Sequence, residues 1–190
     1  MKSTETLKHE HVVIRQALAV LGALAGRVES GDPPPEADLA GLLEFFTVFA
    51  DGCHHVKEET ILFPALEAAG LPKERGPLAA MLEQHDQGRR LVGILRGELP
   101  ALSRDPAARR RFAAAARDYL SLLDRHIEIE NEVLFPGADA LLPAGSDAEI
   151  AAAFDRHEAL EMGPDVHRAF HRRLDDLTRR YLTSEVRHAS

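Results

Sequence analysis

His54-His55-Val56-Lys57-Glu58-Glu59-Thr60-Ile61-Leu62-Phe63-Pro64 has a second copy in the chain, His126-Ile127-Glu128-Ile129-Glu130-Asn131-Glu132-Val133-Leu134-Phe135-Pro136. Superposing the two Leu-Phe-Pro triplets gives an offset of 72 residues, with His54 on His126 and Glu58 on Glu130. The shared pattern is His-x3-Glu-x3-Leu-Phe-Pro. On a helix, residues four apart lie on one face, their Cβ atoms about 5–6 Å apart. Each copy therefore presents one imidazole and one carboxylate in the same direction. One such pair arises easily by chance, but two in register ending in the same apolar triplet do not.

Working outward, four segments carry apolar stripes at a spacing of three or four, the signature of amphipathic helices. The first, about Ser3 to Val28, holds Leu7, Ile14, Leu18, Leu21 and Val28 on its stripe, with His11 in an inward slot. Ser3 or Thr4 is placed to cap it, and Gly31-Asp32-Pro33-Pro34-Pro35 ends it. The second starts near Pro35 or Glu36 and continues its stripe through His54 and Glu58. Pro64 is expected to kink or end it. The third holds Leu78, His85, Gly88, Val92 and Leu95. Asp105-Pro106, an N-cap with a proline after it, opens the fourth. There Phe112, Tyr119, His126 and Glu130 share a face up to Pro136-Gly137.

These spacings predict an all-α protein, an up-down-up-down four-helix bundle over residues 1–140. The bundle is two halves, each a helix with one histidine followed by a helix with His-x3-Glu. Residues 141–190 read as additional C-terminal helices packed on the bundle or on a second subunit. Ser146-Asp147-Ala148-Glu149 is a capping box, and Val166, Phe170, Leu174, Leu177 and Tyr181 mark a last helix to about residue 185. The arginines from Arg168 to Arg180 form its polar face.

Composition sets the outer limits. The 190 residues suffice for one well-formed core. A net charge of −8 argues against nucleic acid or an anionic membrane as partner. Cys53 is the only cysteine, so no internal disulfide exists. No apolar leader precedes the first helix, and no run reads as a membrane span. These features predict a cytoplasmic protein.

Ten histidines against three methionines and no tryptophan need an account. Burying an unpaired carboxylate costs several kcal/mol, yet Glu58 and Glu130 fall on inward stripes with His11, His54, His85 and His126. A pair of cations removes that cost. Imidazole with carboxylate suits iron, manganese or zinc, and six ligands exceed what one tetrahedral zinc takes. The set suits two metals bridged by Glu58 and Glu130. His55 and Glu59, one position round the helix, are expected beside the site or on the surface. His9, His157, His167 and His171 are expected outside it. Gly22 and Gly88 are placed to thin the wall near a ligand pocket. Ferritin-like bundles use Glu-x-x-His pairs and lone glutamates; here the order is His-x3-Glu and the lone ligands are histidines.

The chain resembles the hemerythrin-like HHE cation-binding family over roughly residues 5–138. The resemblance is carried by Glu10-His11, His54-x3-Glu58-x3-Leu62-Phe63-Pro64, Gln84-His85 and His126-x3-Glu130-x3-Leu134-Phe135-Pro136. It implies a four-helix bundle around a non-haem di-iron centre, two oxygen- or hydroxide-bridged iron ions with manganese or zinc as possible substitutes. Its ligands by position are His11, His54, Glu58, His85, His126 and Glu130. Oxygen-carrying hemerythrins use five histidines and two carboxylates, with an extra histidine on the third helix. Here Arg89 stands four after His85, so reversible oxygen carriage is not implied. The resulting expectation is a protein that binds or reacts with dioxygen, peroxide or nitric oxide in oxidative or nitrosative stress, an enzyme if it consumes peroxide. The alternatives are an iron or oxygen sensor, or an iron donor for damaged iron centres, contacting a protein partner or a second copy through the C-terminal helices. The remaining possibility is a bundle without functional metal.

Overall fold

The computed structural model describes residues 1–143 and 145–183, and is all-helical, with no strand among them. Eight α-helices follow in order: α1 Lys2–Ser30, α2 Glu36–Phe45, α3 Phe63–Ala68, α4 Pro77–Glu98, α5 Pro106–Ile129, α6 Phe135–Leu141, α7 Ser146–Glu161 and α8 Gly163–Tyr181. The backbone between α2 and α3 is helical too, but wound wider. Phe46–His55 and Glu58–Leu62 are π-helical, as is Glu130–Leu134 between α5 and α6. Side-chain pairs fix the helix directions. His11 meets Asn131 and Glu29 meets Arg117, so α1 and α5 are antiparallel. Gln84 meets His126 and Glu98 meets Arg111, so α4 and α5 are antiparallel as well.

Two buried clusters hold these helices together. One gathers Leu21, Leu24, Phe45, Phe46, Phe49, Leu95, Phe112 and Tyr119, and the other Leu7, Leu62, Phe63, Leu66, Leu134 and Phe135. The C-terminal helices belong to both, through Phe170, Leu174 and Leu177 in the first and Ile150 and Phe154 in the second. Arg180 and Tyr181 reach Asp38 of α2, and Arg173 reaches Glu44, so part of the arginine face of α8 is a docking surface. The expected end of this helix near residue 185 lies outside the described residues.

Several local expectations give way. Ser3 and Thr4 lie inside α1 and are buried. Its start is capped from a distance: Asp147 accepts from the N–H groups of Lys2 and Ser3 and from the Ser3 hydroxyl at 2.6 Å. Ser146 is itself the first residue of α7 and donates to the Pro143 carbonyl, so the predicted capping box does not form. Asp105 does cap α5, accepting from Ala107 N–H at 2.8 Å. Gly31, at φ 90°, closes α1 in the left-handed region that favours glycine.

Helix runs on through both prolines, to Ala68 and Leu141, rather than breaking at them. A proline ring normally collides with the carbonyl four residues back. In each copy the preceding turn is the wide one: Phe63 N–H bonds the Glu58 carbonyl and Phe135 N–H the Glu130 carbonyl, five residues back. The π turn opens the place where the ring sits. By length and composition alone Lys2–Ser30 is apolar enough to cross a bilayer, but half of its most apolar stretch is buried inside the bundle, and the core helix of a bundle passes the same test.

Candidate metal centre

The wide turns decide which side chains face inward. On a regular helix, successive residues are about 100° apart, so His54 and His55 would point to different places. The π-helical run Phe46–His55 shifts the register, and both become buried, at 0% and 4% exposure. π turns of this kind recur at functional sites. His11, His85 and His126 are 1% exposed, and Glu58 and Glu130 are fully buried.

These side chains form two groups. His55, Glu58, His85 and His126 place ligand atoms within 4.8 Å of one another, and so do His11, His54, Glu58 and Glu130. Glu58 belongs to both. One of its oxygens lies 3.8 Å from His54 Nε2 and the other 3.5 Å from His85 Nε2. Glu130 Oε2 is 3.2 Å from the Nε2 atoms of both His11 and His126. All six residues singled out in the sequence are thus brought together, and His55 joins them as a seventh, against the expectation that it stood aside.

Every histidine is held from behind. His54 Nδ1 donates to Glu10 at 2.8 Å, His85 Nδ1 to Glu59 at 2.7 Å and His55 Nδ1 to Asp51 at 3.4 Å. His11 Nδ1 donates to the Asn131 side-chain oxygen and His126 Nδ1 to that of Gln84, both at 2.9 Å. With the proton on Nδ1, each Nε2 lone pair faces inward, the tautomer a metal requires. The sequence repeat extends to these partners. Glu10 and Gln84 each precede an inward histidine, and Glu59 and Asn131 each follow a motif glutamate. Phe63 stacks on His85 and Phe135 on His11, which gives the repeated triplet its task of walling the imidazoles.

This arrangement calls for positive charge. His11 and His54 bring their Nε2 atoms to 3.0 Å, and His85 and His126 to 3.2 Å, lone pair toward lone pair. Among the described residues, both oxygens of Glu58 and of Glu130 lack a hydrogen-bond partner, as does His55 Nε2. Burial, then repulsion from Glu130, pushes the Glu58 carboxyl well above its usual range. Burial takes His54 down to about 4 and His55 to about 3, leaving neutral donors. Carboxylates and neutral imidazoles converging in a dry site fit a pair of metal cations, whose charge replaces the missing partners.

Beside His54 lies a buried lysine. Lys57, fully enclosed, donates to Glu10 at 2.6 Å and to Glu158 of α7 at 3.0 Å. Burial raises the Glu10 carboxyl, but His54 and Lys57 outweigh that and hold it at about 2. The other described histidines stay outside. His9 is exposed, His157 contacts the Gly52 carbonyl, and His167 and His171 lie against Phe49. Gly88 borders a cavity reaching His55 and His85, whereas Gly22 borders only an open groove between α1 and α5.

Such a helical fold around paired histidine and carboxylate clusters defines a cation-binding protein. The chain belongs to the hemerythrin HHE cation binding domain family, whose model matches residues 2–138. It is similar to an uncharacterized protein of Mycobacterium tuberculosis, 27% identical over 160 residues that cover 84% of this chain and 62% of the relative. It is also similar to the iron-sulfur cluster repair protein YtfE of Escherichia coli, 27% identical over 140 residues, 68% of this chain and 64% of the relative. The chain therefore spans less than two thirds of the length of these relatives. No solved structure matches it significantly.

Proposed function

We propose that the protein is a di-iron protein that binds or reacts with a small oxidant: dioxygen, peroxide or nitric oxide. In this reading His11, His54, Glu58 and Glu130 hold one cation and His55, Glu58, His85 and His126 the other, with manganese or zinc as substitutes. The observation that carries it is Glu58, fully buried and dividing its two unpartnered oxygens between two histidine groups. Bound iron would supply Lewis acidity and one-electron redox chemistry. The chain's own residues set imidazole orientation through Glu10, Gln84, Glu59, Asn131 and Asp51, and exclude water with Phe63 and Phe135. Residues 1–140 would be the up-down-up-down metal-binding bundle, a reading the antiparallel pairs support, and residues 141–190 a helical extension on it. The iron-loaded protein is expected to shift its visible spectrum with azide and to consume peroxide to water and dioxygen. Doing neither contradicts the proposal.

A second reading, an iron donor or sensor without catalysis, draws support from two observations. One similar protein is named for iron-sulfur cluster repair. In addition, His54 is tied through Glu10 and Lys57 to Glu158, a route from the centre to α7. Limited proteolysis of the C-terminal helices with and without iron tests it. A cleavage pattern indifferent to metal counts against it.

A further inference from the structure

Three histidines outside the centre share a cleft where α1, α7 and α8 come together. His167 and His171 are four residues apart on α8, so both imidazoles leave the same face of the helix. Their ring centroids are 4.6 Å apart, and both rings lie against Phe49. His9 of α1 and Glu158 of α7 line the same cleft. Glu158 is divided between two neighbours. Its Oε2 accepts from Lys57 at 3.0 Å, while Oε1, without a hydrogen bond, stands 3.8 Å from His167 Nε2. No ring nitrogen of His9, His167 or His171 makes a hydrogen bond among the described residues. Burial and the neighbouring His167 hold His171 below its ordinary range, which leaves it a neutral donor.

We propose that His167, His171 and Glu158 form a mononuclear site for a divalent transition-metal ion of the zinc class, separate from the buried centre, that clasps α8 to α7. Two histidines one helical turn apart chelate such an ion from one face, and imidazole with a single carboxylate is a set that zinc accepts. On bonds of about 2.0–2.1 Å, two ligand atoms of a tetrahedral ion stand roughly 3.4 Å apart. The 3.8 Å between His167 and Glu158 already approaches that of a bound pair. His171, half-buried and unbonded, turns toward the same point without giving up a hydrogen bond. His9 is the imidazole that α1 adds to the cleft, placed for a fourth position. The site shares no ligand with the centre and does not depend on what the centre holds. It is nonetheless joined to it, since Glu158 reaches His54 through Lys57 and Glu10.

Equilibrium dialysis of the iron-treated protein against buffered zinc, followed by elemental analysis for both metals, tests this. The wild type is expected to hold one zinc ion that the double variant His167→Ala/His171→Ala lacks, the two having the same iron content. Glu158→Gln should weaken this zinc about tenfold or more, the scale of one lost charged ligand. His157 turns instead to the Gly52 carbonyl, so His157→Ala is the control and should bind zinc as the wild type does. Zinc should also slow tryptic cleavage after Arg168 and Arg172, both exposed on α8, in the wild type and not in the double variant. Equal zinc in the wild type and the double variant, or full affinity in Glu158→Gln, overturns the site. A zinc ion lost equally in His157→Ala overturns it too, and cleavage indifferent to zinc overturns the clasp.

Discussion

His55 shows how a residue enters a site that regular helical spacing denies it. A regular 3.6-residue turn sends adjacent side chains apart, and on that geometry only His54 of the doublet faces inward. The π turns add the missing rotation, and no propensity rule announces them. A signal was nevertheless present, because Asp51 stands four before His55 and supplies its Nδ1 acceptor. The six other proposed ligands were legible because they obey the helical period and the repeat. Arg89 takes on a role the period does not reveal, gripping Asp51 and Glu59, the acceptors behind His55 and His85. Arg89→Ala or Glu59→Gln is expected to weaken metal binding about 10–100-fold, the usual effect of losing a ligand's orienting partner. Competition against a chromophoric chelator measures this, and unchanged affinity would show that those hydrogen bonds do not matter.

At the scale of the element, the apolar stripes located the long helices of the bundle and α8, whereas α7 was marked only by its Ser146–Glu149 signal, and Gly31 and Asp105 marked a helix end and a helix start where turn chemistry requires them. What failed was capping read as a local property. Asp147, over a hundred residues away, takes the free N–H groups of α1, while Ser146 spends its hydroxyl on Pro143. Asp147→Ala is therefore expected to cost about 1 kcal/mol, the ordinary value of an N-cap. Ser146→Ala should stay within about 0.5 kcal/mol, as at most surface positions. Urea unfolding with an unchanged slope reads the difference, and the reverse ranking would restore the local capping box. The prolines teach a related lesson, since Pro64 breaks nothing where the turn before it is already wide.

For the whole molecule, duplication explains the symmetric part of the centre and its departures explain the rest. His55 against Ile127 and Lys57 against Ile129 make one half polar where the other is apolar. The polar half carries both the cavity and the link to α7. The C-terminal helices share the bundle's clusters, and α8 is pinned at Asp38. Burial raises the Asp38 carboxyl, but its bonds to Arg180 and Tyr181 prevail and hold it below its ordinary range. A depressed carboxylate stabilises the fold above its unfolded value, about 3.9, and that contribution is lost as pH falls through the lower folded value. Acidification below about pH 4 should thus loosen α8 in the wild type, and Asp38→Asn should loosen it already at neutral pH. Hydrogen exchange along Gly163–Tyr181 reports this, and identical profiles for the two proteins would remove the anchor.

The claim beneath all of this is that one glutamate joins two metal sites inside the bundle. Elemental analysis of the untagged protein, with circular dichroism on the same samples, addresses it directly. The wild type should carry two metal ions per chain, and Glu58→Ala at most one, with helicity retained. A fully helical wild type without metal, or a Glu58→Ala protein that keeps both ions, would contradict it.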